Sequence, residues 1–128
     1  MAGDNVPNWD IETAYNDSDP RDILVNMPTL GDSLAQTLGI NASQPTSPAH
    51  WTVLQRGHGF VTTGTSIEQA TDFAMYAASN ARVQTKALLL TGVLGGSVQY
   101  LSTEERVNCA NMNKWIAFKP WKQWVREV

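Results

Sequence analysis

The chain carries two histidines, His50 and His58, and a single thiol, Cys109. A catalytic zinc site needs about three protein ligands. No H-x-H, H-E-x-x-H or C-x-x-C spacing occurs, and the two histidines, on either side of a strand-like run, do not converge readily on one ion. Nucleophilic chemistry finds no better support. There is no G-x-S-x-G elbow, and Cys109 falls in a helix-like run beside no obvious base. Gly57-His58-Gly59 and Gly92-Val93-Leu94-Gly95-Gly96 are glycine-rich, yet neither has the spacing or the lysine of a phosphate-binding loop. Asp10 with Glu12 and Glu104 with Glu105 are carboxylate pairs. Helix capping explains the second pair, and the first reads as solvated loop surface. His58 stands apart because two glycines free its backbone between two apolar runs, placing the ring at a strand edge. Taken alone, that position favours a turn histidine, or one hydrogen-bonded in the core, over a ligand or a base.

The elements that must position these residues are of both kinds. Residues 1–21 are rich in Asp, Asn and Pro and read as an extended, irregular lead-in. Ile23-Leu24-Val25 reads as a brief strand. A helix follows with Thr29 as cap, Leu30, Leu34 and Leu38 as its apolar stripe and Gly39 as its stop. Residues 40–50, with two prolines, form a loop. Trp51–Leu54 and Phe60–Thr63 are strand-like and flank Gly57-His58-Gly59. Ser66–Gln69 is a capping box opening a helix to about Leu90, with Ile67, Ala70, Ala74, Ala77, Ala78 and Ala81 on one face. Ser97–Leu101 reads as another short strand. Ser102–Glu105 is a second capping box, opening a helix to about Asn113, and Pro120 starts a last short helix. Pattern alone gives an α/β chain of three layers without a regular βαβ alternation.

Composition narrows the partners. At 128 residues, 42% hydrophobic and 16% charged, the chain is one small globular domain or part of a larger one. A net charge of −3 and scattered basic residues, apart from a loose group at Lys114, Lys119, Lys122 and Arg126, argue against a nucleic-acid partner. No apolar run approaches the roughly 20 residues needed to span a bilayer. Neither membrane nor nucleic acid is expected as a partner. The polar start Met1-Ala2-Gly3-Asp4-Asn5 carries no signal-sequence pattern, and a lone Cys109 fits a reducing cytosol. The sequons at Asn16 and Asn41 then read as chance matches. Trp121 and Trp124, in the last eight residues, would be better buried against another chain or a further part of the domain.

From Asp22 onward the order of motifs is more specific. Ile23-Leu24-Val25-Asn26, Leu30-Gly31-Asp32-Ser33-Leu34-Ala35 and Val53-Leu54-Gln55-Arg56-Gly57-His58-Gly59 are followed by Gly64-Thr65-Ser66-Ile67-Glu68-Gln69-Ala70, Tyr76 and Asn80-Ala81-Arg82-Val83-Gln84. This succession resembles the C-terminal half of class II aldolase/adducin-like domains. The lead-in Val6-Pro7-Asn8-Trp9-Asp10-Ile11 is similar to that of a decarboxylase-like branch. The resemblance implies a three-layer α/β/α sandwich, incomplete here because the N-terminal half is missing. It implies a single partial domain over residues 1–128, with 22–128 as the C-terminal half.

It also implies a function. In that family the histidine of this segment binds a divalent ion, usually zinc, which passes the role of metal ligand to His58. The ion holds a small hydroxy-carbonyl or carboxylate substrate and stabilises the enediolate formed on C–C cleavage or decarboxylation. Arg56 is a candidate contact for a substrate carboxylate and equally a surface arginine at a strand end, while Tyr76 reads as helix packing and Asn80 and Gln84 as bridging or capping residues. The family's H-x-H pair and its glutamate acid/base lie before the point where Met1 enters the pattern, so zinc is expected only if other sequence completes the site. The implied protein is thus a metal-dependent carbon–carbon lyase, cytoplasmic and homo-oligomeric, with no catalytic residue assigned in this chain. Two alternatives stand beside it: a non-catalytic adducin-like interaction domain, and a metal-free enzyme using His58 as general base.

Overall fold

The computed structural model describes residues 6–40, 43, 48–116 and 118–127. The polar start 1–5, most of the 40–50 loop with Asn41, and the side chain of Lys114 lie outside the described residues. Among the described residues the chain is mixed α/β, with a three-stranded sheet and four α-helices. Its described residues divide into two compact units, one up to Thr65 and the other from Ser66 onward.

The first unit holds the sheet. Its strands are β1 (Asn8–Trp9), β2 (Thr52–Gln55) and β3 (Gly59–Thr62), in the order β1-β2-β3. β1 runs parallel to β2, with Trp9 opposite Gln55, and β2 runs antiparallel to β3, with Val53 opposite Val61 and Gln55 opposite Gly59. β1 lies inside the stretch expected to be irregular. Two residues give no alternation to read, and their pairing comes from a chain segment more than forty positions away. A 3₁₀ turn, Ile11–Ala14, follows, capped by Asp10, whose carboxylate accepts from Glu12 N and whose backbone carbonyl accepts from Thr13 N.

Helix α1 (Pro28–Leu38) covers the sheet. It starts earlier than Thr29 would give: Pro28 takes the first helical position, where its missing N–H costs nothing, and Met27 precedes it without a side-chain cap. Its stripe lies as expected, with Leu30 and Leu38 buried and Leu34 packed against them. The core is Trp9, Ile11, Leu30, Leu38 and Val53, and the Trp9 indole N–H donates to Ser33 Oγ at 3.0 Å, tying β1 to α1. Gly39 ends the helix at φ 73°, its N–H bonded to the carbonyls of Ala35 and Gln36.

Ile23-Leu24-Val25 is not a strand. All three side chains are exposed, and Ile23 has a left-handed backbone, φ 57°, which a β-branched residue adopts only when its surroundings hold it.

The second unit is helical: α2 (Ile67–Leu94), α3 (Thr103–Ile116) and α4 (Phe118–Trp124), with α4 packed on both others. Ser66 caps α2 by accepting from Gln69 N. α2 passes Leu90 and Gly92 and stops at Gly95, φ 77°, since one glycine inside a long helix costs only about 1 kcal/mol. Ala70, Ala74, Ala77 and Ala78 are half-buried, while Ile67 and Ala81 are exposed. Ser97–Leu101 is irregular rather than a strand. The second capping box is complete: Glu105 N donates to Ser102 Oγ at 3.2 Å, and Ser102 N donates to Glu105 Oε2 at 2.8 Å. Among the described residues of this unit no apolar side chain is fully buried; its one buried residue is Asp72, 3% exposed. Trp121 and Trp124 are half-buried.

Candidate functional site

His58 sits at the tip of the β2–β3 hairpin. Residues 56–58 form the turn, with His58 N donating to Gln55 O at 3.1 Å and Gly57 at φ 72°. Glycine supplies the positive φ that this turn needs at its third residue. Gly59, at φ 126°, then opens β3. The two glycines therefore do what their pattern suggested: they expose the histidine ring at the strand end.

The ring itself is held from outside the hairpin. His58 Nδ1 lies 3.2 Å from the carbonyl oxygen of Ile23. A carbonyl only accepts, so this contact suits a ring protonated on Nδ1, and in the neutral form of such a ring the lone pair lies on Nε2. The left-handed turn at Ile23 aims that carbonyl, and Ile23 N donates to Tyr15 Oη at 2.9 Å. The exposed Ile23-Leu24-Val25 segment thus supplies the carbonyl that meets the candidate histidine.

Arg56, two residues earlier, lies in an ion network. Its Nε contacts Asp10 Oδ1 at 2.5 Å and its Nη2 lies 3.7 Å from Glu12 Oε2. Glu12 also pairs with Arg21 at 2.6 Å, and the Arg21 guanidinium stacks 5.0 Å from the centre of the Tyr15 ring. The Arg56 guanidinium holds the Asp10 carboxyl below the usual carboxylate range, and that carboxylate raises Arg56 in return. A substrate carboxylate would compete with Asp10 and Glu12 for this arginine. The carboxylate pair Asp10/Glu12, read from sequence as free surface, is therefore the anchor of the hairpin tip. Tyr15 and Arg21 belong to no sequence motif, and Ile23 was expected in a strand; only the folded backbone brings them to the neighbourhood of residue 58.

His50 is exposed at the start of the strand run, its N–H bonded to Leu38 O at 3.0 Å, and the structure gives it no part in the network around His58. Tyr76, Asn80 and Gln84 lie on α2, in the other unit, all exposed. Asp72, also on α2, has its carboxyl pushed above the usual range by burial. Among the described residues no group of three or more His, Cys, Asp or Glu is placed to hold a metal ion. Among the described residues, then, His58 stands without further His, Cys, Asp or Glu groups placed to close a metal site around it. No helix of the described residues is long and apolar enough to cross a membrane.

Comparison with known proteins gives one informative similarity. The chain is 31% identical, over 134 aligned positions covering all of it, to decarboxylase tropJ of Talaromyces stipitatus. It spans about half the length of that relative. No family model matches the chain, and no solved structure matches it.

Proposed function

We propose that this chain is the His58-bearing part of a decarboxylase-type carbon–carbon lyase acting on a small hydroxy-carbonyl or carboxylate substrate. The similarity to a decarboxylase along the whole chain carries this reading. The posture of His58 supports it: histidines that bind metal donate their second ring N–H to a carbonyl or carboxylate, and Nδ1 meets Ile23 O in that manner. Bound there, a divalent ion, zinc for preference, would act as a Lewis acid on a substrate oxygen. The further donors would come from sequence beyond the described residues or from another polypeptide, and a three-layer α/β/α sandwich of class II aldolase/adducin-like type would then be complete. What this chain itself contributes is an oriented Nε2 on a hairpin tip tied to Ile23 and Asp10. Arg56 contributes to that tip as the partner of Asp10, and reaches a substrate carboxylate only by exchanging partners.

The proposed setting is a homo-oligomer in the cytoplasm, favoured by the apolar side chains that α2 leaves exposed, including Leu89, Leu90, Val93 and Leu94. Release of CO₂ from small hydroxy-carboxylates by the purified protein supplied with zinc tests the reading. The expected result is release that a chelator abolishes and that His58→Ala lowers by about 100-fold or more, the usual weight of a residue acting in the transition state. Release that survives both treatments contradicts the role of the ion and of His58. No release from any such substrate, with the fold intact and the sequence that supplies the further donors present, favours an interaction domain instead.

A further inference from the structure

The hydrogen bonds around Ile23 form a short relay whose end is the candidate histidine. Tyr15 Oη accepts from Ile23 N at 2.9 Å, Ile23 holds φ 57°, and Ile23 O faces His58 Nδ1 at 3.2 Å. A β-branched residue in the left-handed region needs something to hold it there, and the hydroxyl of Tyr15 is the group bonded to its N–H. Tyr15 is itself fixed from two sides. It packs against the core that contains Trp9 and Ile11, and Arg21 stacks on its ring while pairing with Glu12.

We infer that Tyr15 is a positioning residue for His58: by holding Ile23 in its left-handed turn it aims the Ile23 carbonyl at Nδ1 and fixes the tautomer that leaves Nε2 unprotonated. Only that tautomer can accept a proton or bind an ion through Nε2. In histidine left unconstrained the Nε2–H form prevails, so the relay works against the intrinsic preference of the ring. This inference rests on the reading of His58 as the donor residue. Its readout, however, needs neither metal nor substrate, so a failure to bind zinc and a failure of the relay give different results.

The ¹⁵N shifts of the His58 ring, recorded on the whole chain at about pH 8.5, above the ordinary histidine pKa of about 6.5, report the tautomer directly. In the unaltered protein the Nδ1–H form should dominate. Tyr15→Phe removes one hydroxyl and should lower the ratio of Nδ1–H to Nε2–H about fivefold, the weight of one net hydrogen bond. Ile23→Pro, which fixes φ near about −65° and deletes the N–H, should do the same by a different route. Ile23→Gly, which adopts a positive φ without a Cβ penalty, should keep the Nδ1–H form. Amide spectra of all three variants should keep the resonances of Val53 and Leu30, since neither Tyr15 Oη nor the exposed Ile23 side chain belongs to the buried core. A His58 ring that is Nε2–H in the unaltered protein overturns the inference, as does a ratio that Tyr15→Phe and Ile23→Pro both leave unchanged.

Discussion

At the scale of single residues, the candidate site is a histidine whose surroundings set its proton, and an arginine already engaged by acid groups. The pair Asp10–Arg56 gives a pH dependence of known sign. Its Asp10 carboxyl titrates lower in the folded chain than in the unfolded one, so the folded state holds fewer protons there. The stabilisation is present above the unfolded value of about 3.9 and fades as pH falls through the lower folded value. Asp10→Asn should therefore lower the denaturant midpoint at neutral pH, and the difference from the unaltered protein should vanish in strong acid. A difference that persists unchanged at about pH 2 would mean that the charge pair is not its source. Asp72 has the opposite sign. Burial raises its carboxyl, so its contribution is complete below the unfolded value and is lost as pH rises through the raised folded one. Asp72→Asn should accordingly stabilise the protein at pH 7, read as a higher urea midpoint, and lose that advantage in acid.

At the scale of elements, the legible parts were those with strong local chemistry. Both capping boxes open helices, the stripe Leu30, Leu34, Leu38 faces the core, and Gly39 stops α1 in the left-handed conformation. A Cβ at Gly39 would meet Ala49 Cβ at 2.5 Å in addition to its φ of 73°. Gly39→Ala should cost about 2 kcal/mol or more, measurable by urea unfolding, whereas Leu30→Ala should cost about 2–5 kcal/mol through the cavity it leaves. What sequence did not show was non-local. β1 exists through its pairing with β2, and Ile23-Leu24-Val25 looks apolar enough for a strand yet serves as an exposed turn held by Tyr15 and His58. The site shared this divide. The glycine-flanked tip carrying His58 was evident from residue types alone. The partners of Arg56 and of Nδ1 come from 35 to 46 positions away and no periodicity encodes them.

At the scale of the whole molecule, the two units differ in how they are held together. The first has a closed apolar core, while among the described residues of the helical unit no apolar side chain is fully buried and Val93 and Leu94 are 82% and 78% exposed. Such a surface favours association, so light scattering at micromolar concentration should give a mass above the 14.1 kDa of one chain. A sharp single-chain mass would remove the oligomer from the proposal. The central claim, that this chain offers His58 to an ion through Nε2, is tested most directly by adding zinc while following the ring nitrogens of both histidines. The expected result is a change at His58 Nε2 at lower zinc concentration than any change at His50, with Nδ1–H of His58 retained and the effect lost in His58→Ala. Zinc acting first at His50, or on Nδ1 of His58, would contradict it.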